Sequence, residues 1–352
     1  MKRVQLDVLC KFAENSMLES GLSAQDAKVV ADVLTGTDAF GVMTHGTKNL
    51  LGYVTKLQAG GLDPQAVPEV VHEGPAWAMI DGKNAMGMVS SCKAMNLAIE
   101  KARNCGIAYV GVKNSCHFGA AGYYANLAAK AGMIGIAVSN TDPIMAVTNG
   151  CGVSVGSNPF AYAAPMKGGR SIFLDIALSN VAALKVIMAK EKGEMLPPGC
   201  LVDEEGKGIT DPTTFPEHSS LAPMAAHKGY GLAVMVEILA SVMTGAGMLS
   251  QVRSWNLVPS TNNNAGHAFI AIDVSKMMPM DLFEERMQAM ADEIHHAKKA
   301  VGAQQIYLPG EMDWDKYDAA MKNGWIEIPD AMADSLKTLS EKIGLNIEWL
   351  SA

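Results

Sequence analysis

Charge is scarce in this 352-residue sequence: charged residues make up 18%, the net charge is −8, and no basic stripe with interleaved aromatics occurs. That argues against a nucleic-acid partner, because neutralising a phosphate backbone takes clustered lysine and arginine. None of the six cysteines (Cys10, Cys92, Cys105, Cys116, Cys151, Cys200) stands in C-x-x-C spacing. A chain this large needs no disulfide staples, so free thiols in a reducing, cytoplasmic setting are expected. The eight histidines form neither H-E-x-x-H nor a Cys/His cluster, so no metal site is expected. The most membrane-like stretch, residues 229–249, carries Glu237 in its middle and reads as a buried helix rather than a span. The opening residues, interrupted by Asp7, Lys11 and Glu14, do not read as a signal peptide. Three glycine fingerprints are missing too: G-x-G-x-x-G after a strand, the P-loop and the G-x-S-x-G elbow. Without them the sequence supports neither a Rossmann fold, nor an NTPase, nor an α/β-hydrolase.

What is present is an ordinary globular balance, 49% hydrophobic with 24 Met and 34 Gly, at a length that suggests two domains. The first 60 residues read as helices. Ser23 followed by Asp26 marks a helix start, and Leu50, Leu51, Val54 and Leu57 give a second helical face that Gly60-Gly61 ends. Residues 62–68 form the first boundary. Beyond it, short apolar runs at 76–80, 107–112, 134–139, 160–164, 171–175 and 268–273 read as strands, and 89–104, 120–131 and 181–190 as helices. That alternation is the signature of an α/β domain. Residues 197–220 read as a long surface connection, 228–244 and 279–298 as helices, and the tail from Tyr317 as mostly helical.

Polar residues set among small ones are the candidates for chemistry. Thr44-His45-Gly46 opens a helix, where His45 is either a cap or a group that donates a proton or binds a carboxylate. Asn114-Ser115-Cys116-His117-Phe118-Gly119 lies where a buried strand ends and a helix begins, the edge at which α/β folds gather ligands. His117 there is either a general acid/base or a core histidine bonded to backbone. Thr141-Asp142-Pro143, Ser157-Asn158-Pro159 and Asp175 all stand at strand ends, suited to ribose hydroxyls or to orienting an imidazole, and equally to ordinary turns. Lys228 opens an apolar helix beside Gly229, either to meet a cofactor phosphate or as a plain surface lysine. His295-His296 reads as a solvated helix face.

Taken together, eight ordered segments between residues 38 and 311 resemble the malate/L-lactate dehydrogenase family, which includes ureidoglycolate, sulfolactate and piperideine-2-carboxylate enzymes. They are DAFGVMTHG from Asp38, Cys116-His117-Phe118-Gly119, Asn140-Thr141-Asp142-Pro143, Gly156-Ser157-Asn158-Pro159, LDIALS from Leu174, Thr210-Asp211-Pro212, HKGYGLAVMVEIL from His227, and Leu308-Pro309-Gly310-Glu311. The resemblance implies a non-Rossmann α/β domain for NAD or NADP over 69–278, joined to a mainly helical domain of 1–68 plus 279–352 that carries the substrate side and the dimer contact. It implies catalytic roles for His117, His45 and Asp175. Cofactor contacts would fall on Thr141, Asp142, Asp175, Ile176, Ala177, Lys228, Gly229, Pro309, Gly310 and Glu311, and substrate contacts on Thr44, His45, Lys48, Asn49 and Tyr53. The implied reaction is hydride transfer between NAD(P) and a small 2-hydroxy or 2-oxo carboxylic acid, in a homodimer.

The sequence departs from the family where a carboxylate would be gripped. The usual arginine three residues beyond the His-Gly pair is Asn49, with Lys48 one place earlier, and asparagine supplies no charged fork. Two further readings therefore stand beside the first: a reductase of cyclic imine-2-carboxylates on the same fold, and a cofactor-binding protein that has lost catalysis.

Overall fold

The computed structural model describes residues 1–350. A short strand β1 (Lys2–Gln5) leads into helices α1 (Leu6–Glu19), α2 (Ala24–Ala39) and α3 (Leu50–Gln58). Ser23 caps α2, its Oγ accepting from the Asp26 N–H at 3.1 Å and satisfying a donor the helix itself cannot. The hairpin β2 (Glu69–Gly74) and β3 (Trp77–Asp81) is followed by α4 (Gly87–Cys105), β4 (Ile107–Ser115), α5 (Ala121–Lys130) and β5 (Met133–Ser139). Then come a second hairpin, β6 (Phe160–Pro165) and β7 (Ser171–Ile176), helix α6 (Ala183–Lys192), and three short strands β8 (Leu201–Asp203), β9 (Gly208–Ile209) and β10 (Ser219–Leu221). The chain closes with α7 (His227–Glu237), β11 (Ala265–Asp273), α8 (Met280–His295), α9 (Glu311–Asn323), β12 (Trp325–Ile328) and α10 (Asp330–Ile343).

The central sheet has seven strands in the order β2-β3-β4-β11-β5-β6-β7, and only β3 and β4 pair in parallel. The strand–helix alternation of the sequence suggested an α/β domain, and the sheet is nonetheless mostly antiparallel because of β2–β3, β5–β6 and β6–β7 together with β11. Strand β11 returns from late in the chain and inserts between β4 and β5, which would otherwise be parallel neighbours across the α5 crossover. The result is a mixed α/β sheet unlike the all-parallel doubly wound one, in keeping with the missing glycine fingerprint.

Side chains alternate between two cores, as a pleated sheet covered on both faces requires. On β5, Ala137 joins the core shared with α4, α5, α10 and the N-terminal helices, while Val138 joins a second core with α6 and α7; Phe269 and Ala268 divide the same way on β11. The chain ends meet. β1 pairs antiparallel with β12, and Phe40 at the end of α2 stacks on Tyr317 of α9 at 4.4 Å. Helix α8 lies against the sheet, with Ala291 buried beside Ile172 of β7 and Leu308.

The differences from the sequence reading have local causes. The first 60 residues were expected to be helical and the tail mostly so, yet β1 and β12 are strands. Four residues carry too little period-two pattern to announce themselves, and each becomes a strand only against the other. Strand β2 was not foreseen either, and the long connection 197–220 holds the small sheet β10-β8-β9. The helix expected over 228–244 is α-helical only to Glu237, then widens into a π turn over Ile238–Val242. No helix among the described residues is long and apolar enough to cross a membrane.

Candidate active site

Strand β4 ends at Ser115, and Cys116 to Ala120 carry the chain to the start of α5. Gly87, the first residue of α4, lets this turn pass: a Cβ there would stand 2.3 Å from the Cys116 carbonyl oxygen and 2.5 Å from that of His117. Cys116 is fully buried and its thiol is pushed up to about 12 by that burial, so it is not an activated nucleophile. His117 sits deep in the turn and is half-buried as a residue.

Three aromatic rings surround His117. Trp255 stacks on it at 4.7 Å and 20°, His45 lies at 5.7 Å and 22°, and the Tyr53 hydroxyl meets Nδ1 at 2.5 Å. The Gly119 N–H also points at Nδ1, at 3.5 Å. An amide N–H can only donate, and the tyrosine hydroxyl can, so Nδ1 is the acceptor and the proton of the neutral ring is assigned to Nε2. Burial, with His45 and His267 nearby, drives the His117 pKa down to about 3, so the imidazole is neutral at pH 7. Tyr53, fully buried on α3, is held well above the ordinary tyrosine range by desolvation. Burial also lowers the pKa of His45.

The turn bearing His45 is braced from below and from the side. The buried Asp38 accepts from the Thr47 N–H at 3.0 Å and from its hydroxyl at 2.7 Å, and desolvation raises Asp38 to about 7. Asn49 donates its amide to the Thr44 carbonyl oxygen at 2.9 Å, and Thr44 Oγ1 lies 2.9 Å from His45 Nδ1. The Lys48 carbonyl oxygen accepts from Ser335 Oγ of α10 at 3.0 Å, while its ammonium has no partner among the described residues. Asn49 is therefore occupied in holding its own turn.

The strand-end segments are brought to one another by backbone bonds. The Asp175 carboxylate accepts from the Gly122 N–H at the start of α5 at 2.7 Å, and burial raises it to about 6. Beyond Ile176 and Ala177, Leu178 donates to Ser157 O at 2.7 Å and accepts from Met224 N at 2.9 Å, next to the α7 start that bears Lys228 and the buried Gly229. Thr141 N donates to Asn158 Oδ1 at 3.0 Å. Asp142 is raised by burial, with the Ser254 hydroxyl beside it. Pro309 O accepts from Phe173 N at 3.2 Å, and a Cβ on Gly310 would strike the Phe173 ring at 2.4 Å, so this turn is laid onto β7. The Glu311 carboxylate is taken up by His295 Nε2 at 2.9 Å and by the Leu308 N–H at 2.7 Å. His295, expected on a solvated face, is thus a partner of that turn, while His296 remains exposed.

Lys228 is exposed, has no ion-pair partner among the described residues, and stands at the positive end of α7. Two residues before it in the chain, Ala226 lines a cleft of about 790 Å³ whose walls also include Asn149, Gly150, Asn180, Pro223 and Ala225; Lys228 itself is not in that lining. An unpaired ammonium at a helix start near a cleft of this size suits a phosphate-bearing cofactor. His117 is not part of that cleft's lining, and no hydrogen bond joins it to Lys228. Among the described residues, no group of three His, Cys, Asp or Glu side chains is placed to hold a metal.

Four residues at or behind this site were not singled out from sequence. Trp255 lies in an irregular segment without a motif and left no signal. Asp38 stood inside the DAFGVMTHG segment without a role. His267 is a satisfied core histidine, its Nδ1 and Nε2 each 2.8 Å from the hydroxyls of Ser139 and Ser115. Glu237 did leave a signal, an acid in the middle of an apolar helix. Its carboxylate accepts from Asn158 Nδ2 at 3.0 Å, Asn140 Nδ2 at 3.3 Å and the Leu249 N–H at 2.8 Å, tying three loops at one end of the sheet.

Comparison with known proteins agrees in sequence and in fold. The family model described as malate/L-lactate dehydrogenase matches residues 4–337. The chain is 36% identical over 350 residues to a malate dehydrogenase of Pyrococcus abyssi, covering 97% of this chain and 95% of that one. It is 32% identical over 328 residues to the ureidoglycolate dehydrogenase (NAD(+)) of Escherichia coli, covering 93% of each. The solved sulfolactate dehydrogenase of Methanocaldococcus jannaschii superposes with a TM-score of 0.91 at 34% identity, covering 99% of this chain and 100% of that one.

Proposed function

The chain belongs to the malate/L-lactate dehydrogenase family, and we propose that it moves a hydride between NAD(P) and a small 2-hydroxy or 2-oxo carboxylic acid, with His117 as the proton-transfer group. One observation carries this reading. In His117, one ring nitrogen is held at 2.5 Å by a buried tyrosine, while no protein group engages the other. A nitrogen so placed, on a neutral ring, is free to address a substrate oxygen.

The nicotinamide, when bound, exchanges a hydride with C2 of the acid. The protein's own work is to orient and to handle one proton. In the direction of reduction, His117 takes up a second proton from water once the substrate carboxylate is bound, transfers its Nε2 proton to the oxo oxygen as negative charge grows there, and is left neutral with the remaining proton on Nδ1. In the direction of oxidation, Nε2 accepts the hydroxyl proton. Nδ1 keeps its own proton and donates it in a hydrogen bond to Tyr53 Oη, whose hydroxyl turns to accept, and the imidazolium so formed releases one proton to water. Tyr53 is thus a two-way partner that keeps the ring's orientation in both tautomers. Lys48 and His45 flank the place where the carboxylate is held, Asp175 orders the start of α5 five residues beyond His117, and Lys228 holds a cofactor phosphate. Residues 1–68 carry the substrate side and 69–278 the cofactor side.

We further propose a homodimer in which a second copy covers α7, which puts dimer contact on 69–278 and not only on the helical domain of 1–68 plus 279–352 where the resemblance implied it. Helix α7 and the π turn that continues it are apolar nearly all round, yet Leu232, Val234, Ile238 and Val242 are 38 to 56% exposed in the single chain. A helix apolar on every side is normally buried. Light scattering of the purified chain reads the mass, and an Ile238→Lys variant that stays dimeric removes α7 from the interface.

The activity test is NADH and NADPH oxidation with a panel of open-chain 2-oxo acids. Turnover supports the reading. Turnover confined to pyrroline- or piperideine-2-carboxylate moves it to the cyclic imine reductase, and fluorescence quenching of the reduced cofactor without oxidation by any acid replaces it with the lapsed homologue.

A further inference from the structure

Trp255 belongs to none of the motifs, yet separate features of α3 serve to seat it. Its indole stacks on both Tyr53, at 4.8 Å and 27°, and His117, at 4.7 Å and 20°, two rings that lie side by side with centroids 5.9 Å apart. Where the indole crosses α3 the helix has Gly52, and a Cβ there would stand 2.8 Å from Trp255 Cζ3. Glycine is disfavoured inside a helix relative to alanine, so this gap has a local cost that the indole explains. One turn on, Lys56 is fully buried and donates Nζ to the Thr261 carbonyl oxygen at 2.5 Å, with no acidic partner. Just past the helix, Gly61 makes room for the Pro259 carbonyl oxygen, which would stand 1.9 Å from a Cβ. Pro259 and Thr261 belong to the same irregular segment as Trp255, residues 252–264. That segment is therefore strapped to α3, and the indole is held on the ring that transfers the proton.

The turn bearing His45 offers no second grip for an anion. Asn49 is engaged with Thr44 O, and Lys48 is the one cation of that turn. One cation serves one carboxylate. A second anionic group would be left to shed its water against an indole face, which is unfavourable without a paired charge, whereas an apolar or flat uncharged group gains by the same contact.

Resting on the dehydrogenase reading, we infer that Trp255 is a specificity-determining residue: it forms an uncharged wall beside His117 and selects 2-oxo and 2-hydroxy acids whose C2 substituent is uncharged over those bearing a second anionic group. The test is NAD(P)H-linked kinetics on the whole chain with 2-oxobutyrate, phenylpyruvate and oxaloacetate. The wild type is expected to favour the better uncharged acid over oxaloacetate by about tenfold or more in kcat/KM, and Trp255→Ala to erase that ratio. Gly52→Ala adds a better helix former and so keeps the fold, while its new methyl pushes the indole aside. It is expected to lower the ratio in the same direction, and it decides the matter should Trp255→Ala not fold. A wild type that prefers oxaloacetate overturns the inference, as does a ratio unchanged in whichever variants fold. Those outcomes leave the dehydrogenase reading standing. A wild type that oxidises the cofactor with no acid removes that reading and this one together.

Discussion

The turn after β4 and the interior of β11 each hold a buried histidine, and the two differ in one respect that matters. Both His117 and His267 are pushed down to about 3, chiefly by burial. His267 is wholly enclosed, stacked on Phe118 at 4.6 Å, and both of its ring nitrogens meet serine hydroxyls. His117 has the same kind of stacking, but only Nδ1 is engaged and the residue is half-buried. A depressed pKa therefore does not separate a functional histidine from a structural one. The unpaired nitrogen is what marks His117 as the candidate for proton transfer.

Substitution of each histidine is the sharpest way to break that comparison. His117→Ala is expected to lower kcat by roughly 10²–10⁴-fold, the usual worth of proton transfer, with cofactor binding retained. Near-normal kcat in that variant ends its catalytic role. His267→Ala leaves Ser115 and Ser139 without partners and opens a cavity, so it is expected to cost about 2–4 kcal/mol of stability, read as a shift in urea midpoint. If His267→Ala instead abolishes turnover at unchanged stability, the two residues have been assigned the wrong way round.

Tyr53→Phe sharpens the comparison on the engaged nitrogen. Loss of one hydrogen bond to His117 is worth about 1 kcal/mol, so kcat/KM is expected to fall roughly fivefold. The pH at which it falls off should also move, which a purely structural tyrosine would not cause.

A smaller effect concerns pH and stability. A histidine whose folded pKa lies below its unfolded value of 6.5 costs nothing above that value, and it erodes stability as pH falls from about 6.5 towards 3, where the unfolded chain binds the proton more readily. Asp38 and Asp175, raised to about 7 and about 6, act oppositely: they bind protons more readily when folded, so their contribution improves as pH falls towards 3.8. The opposed contributions should leave the urea midpoint nearly flat between pH 6.5 and 4. In Asp38→Asn one offsetting carboxyl is gone, and a decline over that window is expected; a flat profile in the variant would show that the histidines do not titrate as described.

Much of the site was legible because its parts are local. Ser23 and Asp26 mark a helix start wherever the rest of the chain goes, and His117 between a buried apolar run and small residues marks a strand-to-helix turn. Lys228 stood out because a cation at a helix start runs against the dipole. The parts that were not legible depend on partners far along the chain. Trp255 acquires meaning only from Gly52 and His117, and Glu237 only from the loops whose asparagines it gathers. Asn49, whose place in the sequence suggests a substrate contact, also donates its amide to its own turn, a bond that only the structure shows.

Sequence by itself determined the period of each long element, the caps that begin them, the absence of a dinucleotide fingerprint and the identity of the proton-transfer candidate, because each of these is encoded within about one or two helical turns. Tertiary structure alone decided that β11 returns to split β4 from β5, that the two ends of the chain pair as β1 and β12, and which of two equally depressed histidines keeps a nitrogen free. Those outcomes turn on hydrogen bonds and ring contacts between residues brought together only when the cores on either face of the sheet are buried, and no local pattern can carry them.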